Sequence, residues 1–303
     1  MKKLQLLILI CSFSFAASAQ NNFLLYSFKG AVSITDAGAS SPAKVGKPLS
    51  NSATLKIPAG GAVTLICNEA AMFTITKAGT FSLSKFGDSC HINTNSASAN
   101  YVKYVWASMT KSSGSAGSNR KAYMNTVGAS SRGGNINNIW IDDRLDTVNY
   151  SGVKNEFPLS WKSYPEANDF EFSLYANDNI SSPIFTKVVN KLKVPIKDFA
   201  NKIKPGNSYF WTAAIKGEEN DVLKVLNYVT PDTYVSVLES IKKQGSPSFE
   251  GPAEQAYRYA FMLEDAHYLA EAYDYYLKAA TIDTNNVLYR NTIMSFKKDY
   301  EIK

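Results

Sequence analysis

The C-terminal part of the chain is governed by one stretch, AEQAYRYAFMLEDAHYLAEAYDYYLKAATIDTNN, which runs from Ala253 to Asn286. Its apolar residues recur with a helical period, and small residues stand at Ala260, Ala272 and Ala279. Small side chains at these positions allow two antiparallel helices to approach closely. The stretch therefore predicts a pair of packed helices.

This stretch resembles a tetratricopeptide repeat, a helix–turn–helix unit of about 34 residues. Its length, the three alanines and the aromatic Tyr276 match that family, whereas Thr284 replaces the usual proline and Ala256 replaces a bulky residue. In the family, the first helix of each repeat lines a concave surface that binds proteins. The resemblance implies these candidate protein-binding residues: Glu254, Tyr257, Phe261 and Glu264.

A single repeat cannot bury both of its faces alone. We expect flanking helices at about residues 233–243 and 287–298 to cover them. Tyr257 and Phe261 would be costly to leave in water on so short an array, which favours packing against the neighbouring β-module. Peptide binding by this surface stays open as the alternative.

The preceding region, residues 151–230, alternates apolar and polar residues as strands do. Three runs carry the alternation: Phe157, Leu159, Trp161; Phe170, Phe172, Leu174; and Tyr209, Trp211, Ala213, Ile215. The region resembles a fibronectin type III or immunoglobulin-like module. The matching residues are Trp161 on an early strand and, in a late turn and strand, Ile203, Pro205, Gly206, Tyr209 and Trp211. The resemblance implies a β-sandwich with both tryptophans in its core.

Residues 20–95 are also β-like, with short apolar runs at 54–57, 63–67, 72–76 and 80–84 separated by turn residues. The segments YSFKGAVSI, AKVGKPLSNSATLKIPAGGAVTLI and FTITKAGTFSLS resemble the extracytoplasmic β-domain of FecR-like proteins. Members of that family sense or relay signals at the cell envelope. This chain shows no cytoplasmic regulatory segment or retained membrane helix, so we do not expect signal relay to a sigma factor.

Residues 96–150 read as a connector that contains one short helix, because polar low-complexity runs flank a helical pattern. Val102, Val105, Trp106 and Met109 recur at helical spacing, and Asn100 is a candidate N-cap. An apolar stripe of this kind usually packs on its own domain.

Residues 1–19 have the features of a secretory signal peptide: a basic start, an apolar run and a small-residue cleavage site before Gln20. Cleavage would remove Lys2 and Lys3 and lower the formal net charge from +6 to +4. We expect an exported protein in the periplasm or at the outer-membrane periphery of a Gram-negative bacterium, without a transmembrane segment in the mature chain.

Export makes a disulfide between Cys67 and Cys90 the simplest prediction for the two remaining cysteines. The alternative is a pair of buried free thiols.

The composition argues against catalysis. The chain of 303 residues has two histidines, 32 basic and 26 acidic residues, and no hydrolase, Walker or dinucleotide motif. Asp142 and Asp143 are adjacent, and on a strand they would point to opposite faces. We therefore expect no enzyme activity, no catalytic residues, no cofactor, no metal site and no nucleic-acid partner.

Together these features predict a multidomain β and α protein. Its predicted regions are a signal peptide (1–19), a FecR-like β-domain (20–95), a connector with a short helix (96–150), an immunoglobulin-like sandwich (151–230) and tetratricopeptide-like helical hairpins (231–303). The leading hypothesis is a non-catalytic scaffold that binds other envelope proteins. The alternative is a sensor or a binding protein for a glycan or small ligand that uses the N-terminal β-domain.

Overall fold

The chain folds into two compact units. The structure is a computed structural model, and it describes residues 22–69, 71–90, 97–110, 138–154, 156–244 and 250–302. The first two ranges form the first unit, and the other four form the second. The predicted signal peptide lies outside the described residues.

The first unit consists of two antiparallel four-stranded sheets. Its strands are β1 (Phe23–Lys29), β2 (Ser33–Asp36), β3 (Ala39–Pro42), β4 (Pro48–Leu49), β5 (Thr54–Ile57), β6 (Ala62–Cys67), β7 (Ala71–Ile75) and β8 (Gly79–Ser82). One sheet has the order β4-β1-β6-β7 and the other has the order β3-β2-β5-β8. Alternation places the apolar side chains of both sheets in one shared core, including Leu25, Ile34, Leu55 and Leu65.

A disulfide joins the end of strand β6 to the end of a 3-10 helical segment, Leu83–Cys90. Cys67 and Cys90 are its partners, with their Cα atoms 5.3 Å apart, and both are buried at the edge of the shared core. Phe73 and Phe86 stack beside this core with ring centroids 5.5 Å apart. The crosslink therefore holds the last segment of the unit against its sheets.

We expect reduction of this disulfide to destabilise the first unit by about 2–4 kcal/mol, because the crosslink restricts the unfolded chain. Peptide-resolved hydrogen exchange with and without reductant measures the change. Peptides of the second unit, which contains neither cysteine, serve as the internal control. Equal protection of residues 54–67 in both states would contradict the expectation.

The β part of the second unit is built around a five-stranded sheet of order β10-β17-β16-β13-β14. The chain enters through helix α1 (Ala97–Thr110) and continues with β9 (Ile139–Trp140), β10 (Thr147–Tyr150), β11 (Pro158–Ser160), β12 (Lys162–Ser163), β13 (Phe170–Ala176), β14 (Phe185–Val189), β15 (Lys193–Pro195), β16 (Asn207–Ile215) and β17 (Lys224–Tyr228). Strand β10 runs parallel to β17, and the other pairs in this sheet are antiparallel. Two two-stranded sheets, β11-β15 and β12-β9, accompany it.

Stacked aromatic rings form the core of this β part. Phe172 lies between Trp161 and Trp211, with ring centroids 6.3 and 5.9 Å away, and Phe199 stacks on it at 5.5 Å. Both tryptophans and both phenylalanines are almost fully buried. The alternation seen in the sequence therefore does place these large side chains in the core.

Four helices end the chain: α2 (Pro231–Lys243), α3 (Pro252–Asp265), α4 (Leu269–Ile282) and α5 (Val287–Asp299). Helix α2 begins at its N-cap Thr230, whose side chain accepts a hydrogen bond from the Thr233 amide. Helix α5 is capped in the same way by Asn286. Together with the sheets, these helices confirm the predicted mixed β and α class.

The edge strand β10 connects the β part of the second unit to its helices. The Asn149 amide donates to the carbonyl of His267 at 2.9 Å, and the Asn149 side chain donates to the carbonyl of Ala266 at 2.9 Å. These two acceptors lie in the turn between α3 and α4. The strands and the helices of the second unit are therefore joined by backbone hydrogen bonds as well as by side-chain packing.

The connector region differs from prediction at its helix start. Helix α1 begins at Ala97, so Asn100 lies inside the first turn and is not the N-cap. In the parts of the chain that the structure describes, no helix combines the length and hydropathy needed to cross a membrane.

Candidate functional site

Helix α1 lies over the face of α3 on which the candidate protein-binding residues were predicted. Tyr257 and Phe261 are fully buried, and Glu264 is nearly so. Tyr101 and Tyr104 of α1 pack on the two aromatic side chains. The predicted surface is thus occupied by a segment of the same chain.

The contact between α1 and α3 is aromatic. Tyr104 stacks on Phe261 with ring centroids 4.9 Å apart and an interplanar angle of 25°, and Tyr101 meets Phe261 edge-on at 5.5 Å. Tyr104 also stacks on Tyr257 at 6.4 Å. Tyr289 of α5 also packs on Tyr257, with ring centroids 4.7 Å apart. Tyr257 and Phe261 of α3 and Tyr289 of α5 line what we call the aromatic groove, and Tyr101 and Tyr104 of α1 occupy it.

A chain of hydroxyl groups runs through this groove. The hydroxyls of Tyr104 and Tyr257 share a hydrogen bond of 2.8 Å, and Tyr257 shares a second one of 2.9 Å with Thr292 Oγ1. Burial, together with the neighbouring Tyr104, raises the pKa of Tyr257 well above its usual range. The three hydroxyls therefore act as neutral hydrogen-bonding groups that fix the position of α1.

The two carboxylates of the candidate set have internal partners. Glu264 accepts hydrogen bonds from the hydroxyls of Tyr276 at 2.9 Å and Tyr300 at 3.2 Å. Glu254 accepts a hydrogen bond of 2.9 Å from the Gly251 amide at the start of α3. Glu264 thus stabilises the packing of α3, α4 and the chain end, and Glu254 caps its own helix.

Arg144 forms a buried ionic network beside Tyr300. Its guanidinium donates to Asp142 at 2.7 Å and to Asp299 at 2.8 Å, and it lies 5.2 Å from the centre of the Tyr300 ring. Burial alone would lower the pKa of Arg144, but the hydrogen bonds that it donates to Asp142 and Asp299, together with the nearby charges of Asp142 and Tyr300, outweigh burial, and the pKa is raised. Asp142 also caps a short 3-10 helix, Asp143–Leu145, so the strand geometry considered for Asp142 and Asp143 does not apply.

Sequence reasoning missed the tyrosines of α1. The predicted stripe placed Val102 and Val105 correctly on the buried side, while Trp106 and Met109 are only partly buried. Tyr101 and Tyr104, which make the contact with α3, lie on one flank of that stripe, one position before Val102 and Val105 respectively. A clustering of four large side chains at positions 101, 102, 104 and 105 was the available signal, because it widens the apolar face beyond one line of residues.

Helix α1 depends on the groove for its stability. It has 14 residues, and an isolated helix of about this length is marginal in water. Its first turn has no acidic residue and its last turn has no basic residue to complement the helix dipole. Burial of its tyrosines and valines against the rest of the second unit therefore supplies most of the free energy that holds it as a helix.

The chemistry available at this site is packing and hydrogen bonding between aromatic side chains. Among the residues that the structure describes, no group of three or more His, Cys, Asp or Glu side chains is placed to hold a metal ion. Comparison with known proteins adds no relative, since no protein-family model and no curated protein matches the chain.

We expect Tyr257→Phe to destabilise the second unit by about 1–3 kcal/mol, because it leaves the hydroxyls of Tyr104 and Thr292 without their shared partner. Urea unfolding followed by tryptophan fluorescence measures the change, since Trp106, Trp140, Trp161 and Trp211 all lie in this unit.

The matched control is Tyr259→Phe, which removes a hydroxyl from the same helix at a half-buried position. We expect its unfolding midpoint to stay close to that of the wild type. Equal effects of the two substitutions would contradict the hydroxyl chain.

Proposed function

We propose that this chain is a non-catalytic, exported envelope protein that acts as a protein–protein interaction scaffold, and that its aromatic groove recognises an amphipathic helix. The observation that carries the proposal is the packing of α1 on α3. Two tyrosines of α1, three residues apart, contact Tyr257 and Phe261. Recognition of a helix by an apolar groove is a recurrent mode of peptide binding.

The helical region fits a tetratricopeptide-type unit. Helices α3 and α4 pack against each other, with α2 against α3 and α5 against α4. Ala260, Ala272 and Ala279 are buried, as close approach of two helices requires. In such a unit the first helix lines the concave surface, and α3 is the helix that receives α1.

The β part of the second unit fits an immunoglobulin-like or fibronectin type III module. Its main sheet pairs the edge strand β10 in parallel with β17, beside antiparallel neighbours. The hydroxyl of Tyr209, near the start of β16, accepts a hydrogen bond of 2.8 Å from the Lys204 amide five residues upstream. Such a tyrosine corner recurs in sandwiches of this class.

Two further features support an exported scaffold. The disulfide between Cys67 and Cys90 suits an oxidising compartment such as the periplasm. The first unit, with two short-stranded antiparallel sheets around one core, suits the FecR-like β-domain proposed from its turns. Modules of these kinds work by presenting surfaces to other proteins, and we propose an envelope protein as the partner.

A labelled peptide of residues 97–110 tests recognition directly. We expect it to bind a Tyr101→Ala, Tyr104→Ala variant, whose own α1 no longer holds the groove, at least ten times more tightly than the wild type. Fluorescence anisotropy gives both dissociation constants. The physical reason is competition, because in the wild type the tethered α1 occupies the groove at high effective concentration.

A peptide with alanine in place of both tyrosines is the matched control and should not bind. Adding Phe261→Ala to the variant should abolish binding of the native peptide, since Phe261 contacts both tyrosine rings. Equal and weak binding of the two peptides to a folded variant would refute helix recognition and leave the groove a purely structural contact.

A further inference from the structure

Glu271 is a buried carboxyl group between the β part and the helices of the second unit. It lies in the first turn of α4 and is 5% exposed. One of its oxygens accepts a hydrogen bond from the hydroxyl of Ser151, the residue that follows strand β10. Its other oxygen, Oε2, is buried without a hydrogen-bond partner among the described residues.

The surroundings of Glu271 are mostly aromatic. Tyr150 stacks at 4.7 Å on Tyr228 of β17, and Tyr234 of α2 packs at 5.4 Å on Tyr268. The titratable or charged groups that act on Glu271, or on which it acts, are Tyr150, Lys154, Tyr234, Tyr268 and Asp274. Ser151 is the one neighbour among the described residues that donates a side-chain hydrogen bond to it.

The lysine whose charge acts on Glu271 forms its ion pair with another carboxylate. The ammonium of Lys154 lies 2.7 Å from a carboxylate oxygen of Asp274, and both side chains are about half exposed. It acts on Glu271 only as a weaker, longer-range charge. Within the described part of the chain, Glu271 therefore has no ion-pair partner to offset the loss of hydration that its charged form would suffer.

The loop after β10 passes close to Tyr228 at Gly152, next to this carboxyl. Gly152 has φ of +86°, and a Cβ atom there would come within 2.9 Å of the Tyr228 hydroxyl. Only glycine accommodates both constraints easily. Gly152 directly follows Ser151, whose hydroxyl donates to Glu271.

We propose that Glu271 is a proton-dependent latch between strand β10 and helix α4: with a proton it is compatible with its buried site, and without one it loosens the contact between the β part and the helices. Burial raises the pKa of this carboxyl, which agrees with the geometry. The latch is independent of helix recognition by the aromatic groove, because it lies on α4 and the groove lies on α3 and α5.

The direction of the pH effect follows from the raised pKa. Below the ordinary value of about 4.5 the folded and unfolded chains both hold the proton, and Glu271 contributes no pH dependence. Above it, the unfolded chain releases the proton first, so the second unit loses stability as the pH rises. The loss is complete once the pH exceeds the pKa of Glu271 in the folded protein.

Unfolding of the full chain at a series of pH values tests the latch, with tryptophan fluorescence as the signal from the second unit. The measured quantity is the ratio of the wild-type unfolding constant to that of Glu271→Gln. The contributions of all other titrating groups to the pH dependence cancel in this ratio. We expect this ratio to rise by up to about tenfold per pH unit above pH 4.5 and then to level off. A ratio that stays constant within twofold from pH 4.5 to 8 would overturn the proposal.

The matched control is Glu239→Gln on α2. Glu239 is exposed and hydrogen-bonded by Lys242, which lowers the pKa of its carboxyl. Because that carboxyl is ionised in the folded chain, and at least half ionised in the unfolded chain from pH 4.5 upward, the corresponding ratio should change by no more than about twofold over the same range and should not rise steeply.

If Glu271→Gln fails to fold, Ser151→Ala provides the second test. It keeps the carboxyl and removes the hydrogen bond that favours its charged form. We expect this variant to lose additional stability relative to the wild type as the pH rises through the pKa of Glu271 in the folded wild-type protein, because below it both folded proteins hold the proton. A loss of the same size at every pH would overturn the latch.

Discussion

The second unit depends on how its central pair of helices is covered. Helices α3 and α4 bury aromatic side chains on more than one face, and a pair of this size cannot shield those faces alone. Helix α1 covers the side with Tyr257 and Phe261, and strand β10 reaches the turn between the two helices through Asn149. Helix α1 and strand β10 both precede helices α3 and α4 by more than 100 positions in the sequence. The core of the second unit is therefore buried only when these distant segments pack together.

This constraint explains why the groove is suited to recognition. A surface that requires a helix for its own burial has the shape, the aromatic character and the hydroxyl partners to accept one. Tyr104 supplies a ring for Phe261 and a hydroxyl for Tyr257 at once, which makes the contact selective for a tyrosine at that position. A partner helix with a similar pair of aromatic residues would meet the same requirements.

Local patterns were sufficient to predict the elements but not their partners. The alternation through Phe170, Phe172 and Leu174 and the helical period after Ala253 both reflect one-sided burial, and the elements formed accordingly. The packing of α1 on Tyr257 is a long-range contact, and the periodic pattern of a single segment carries no information about it. The role of the α1 tyrosines was therefore not predicted. Glu271 was missed for a related reason, because a glutamate in the first turn of a helix is usually a solvated residue that favours the helix dipole.

The central claim is that α1 is seated on α3 in the free protein. Amide hydrogen exchange of residues 101–110 in the full chain measures this most directly, because an isolated helix of this length exchanges rapidly. The account predicts slow exchange of these amides, at rates close to those of α3, and a common increase of both when Phe261 is replaced by alanine. Exchange of residues 101–110 at the rate of an unfolded peptide, beside a fully protected α3, would contradict it.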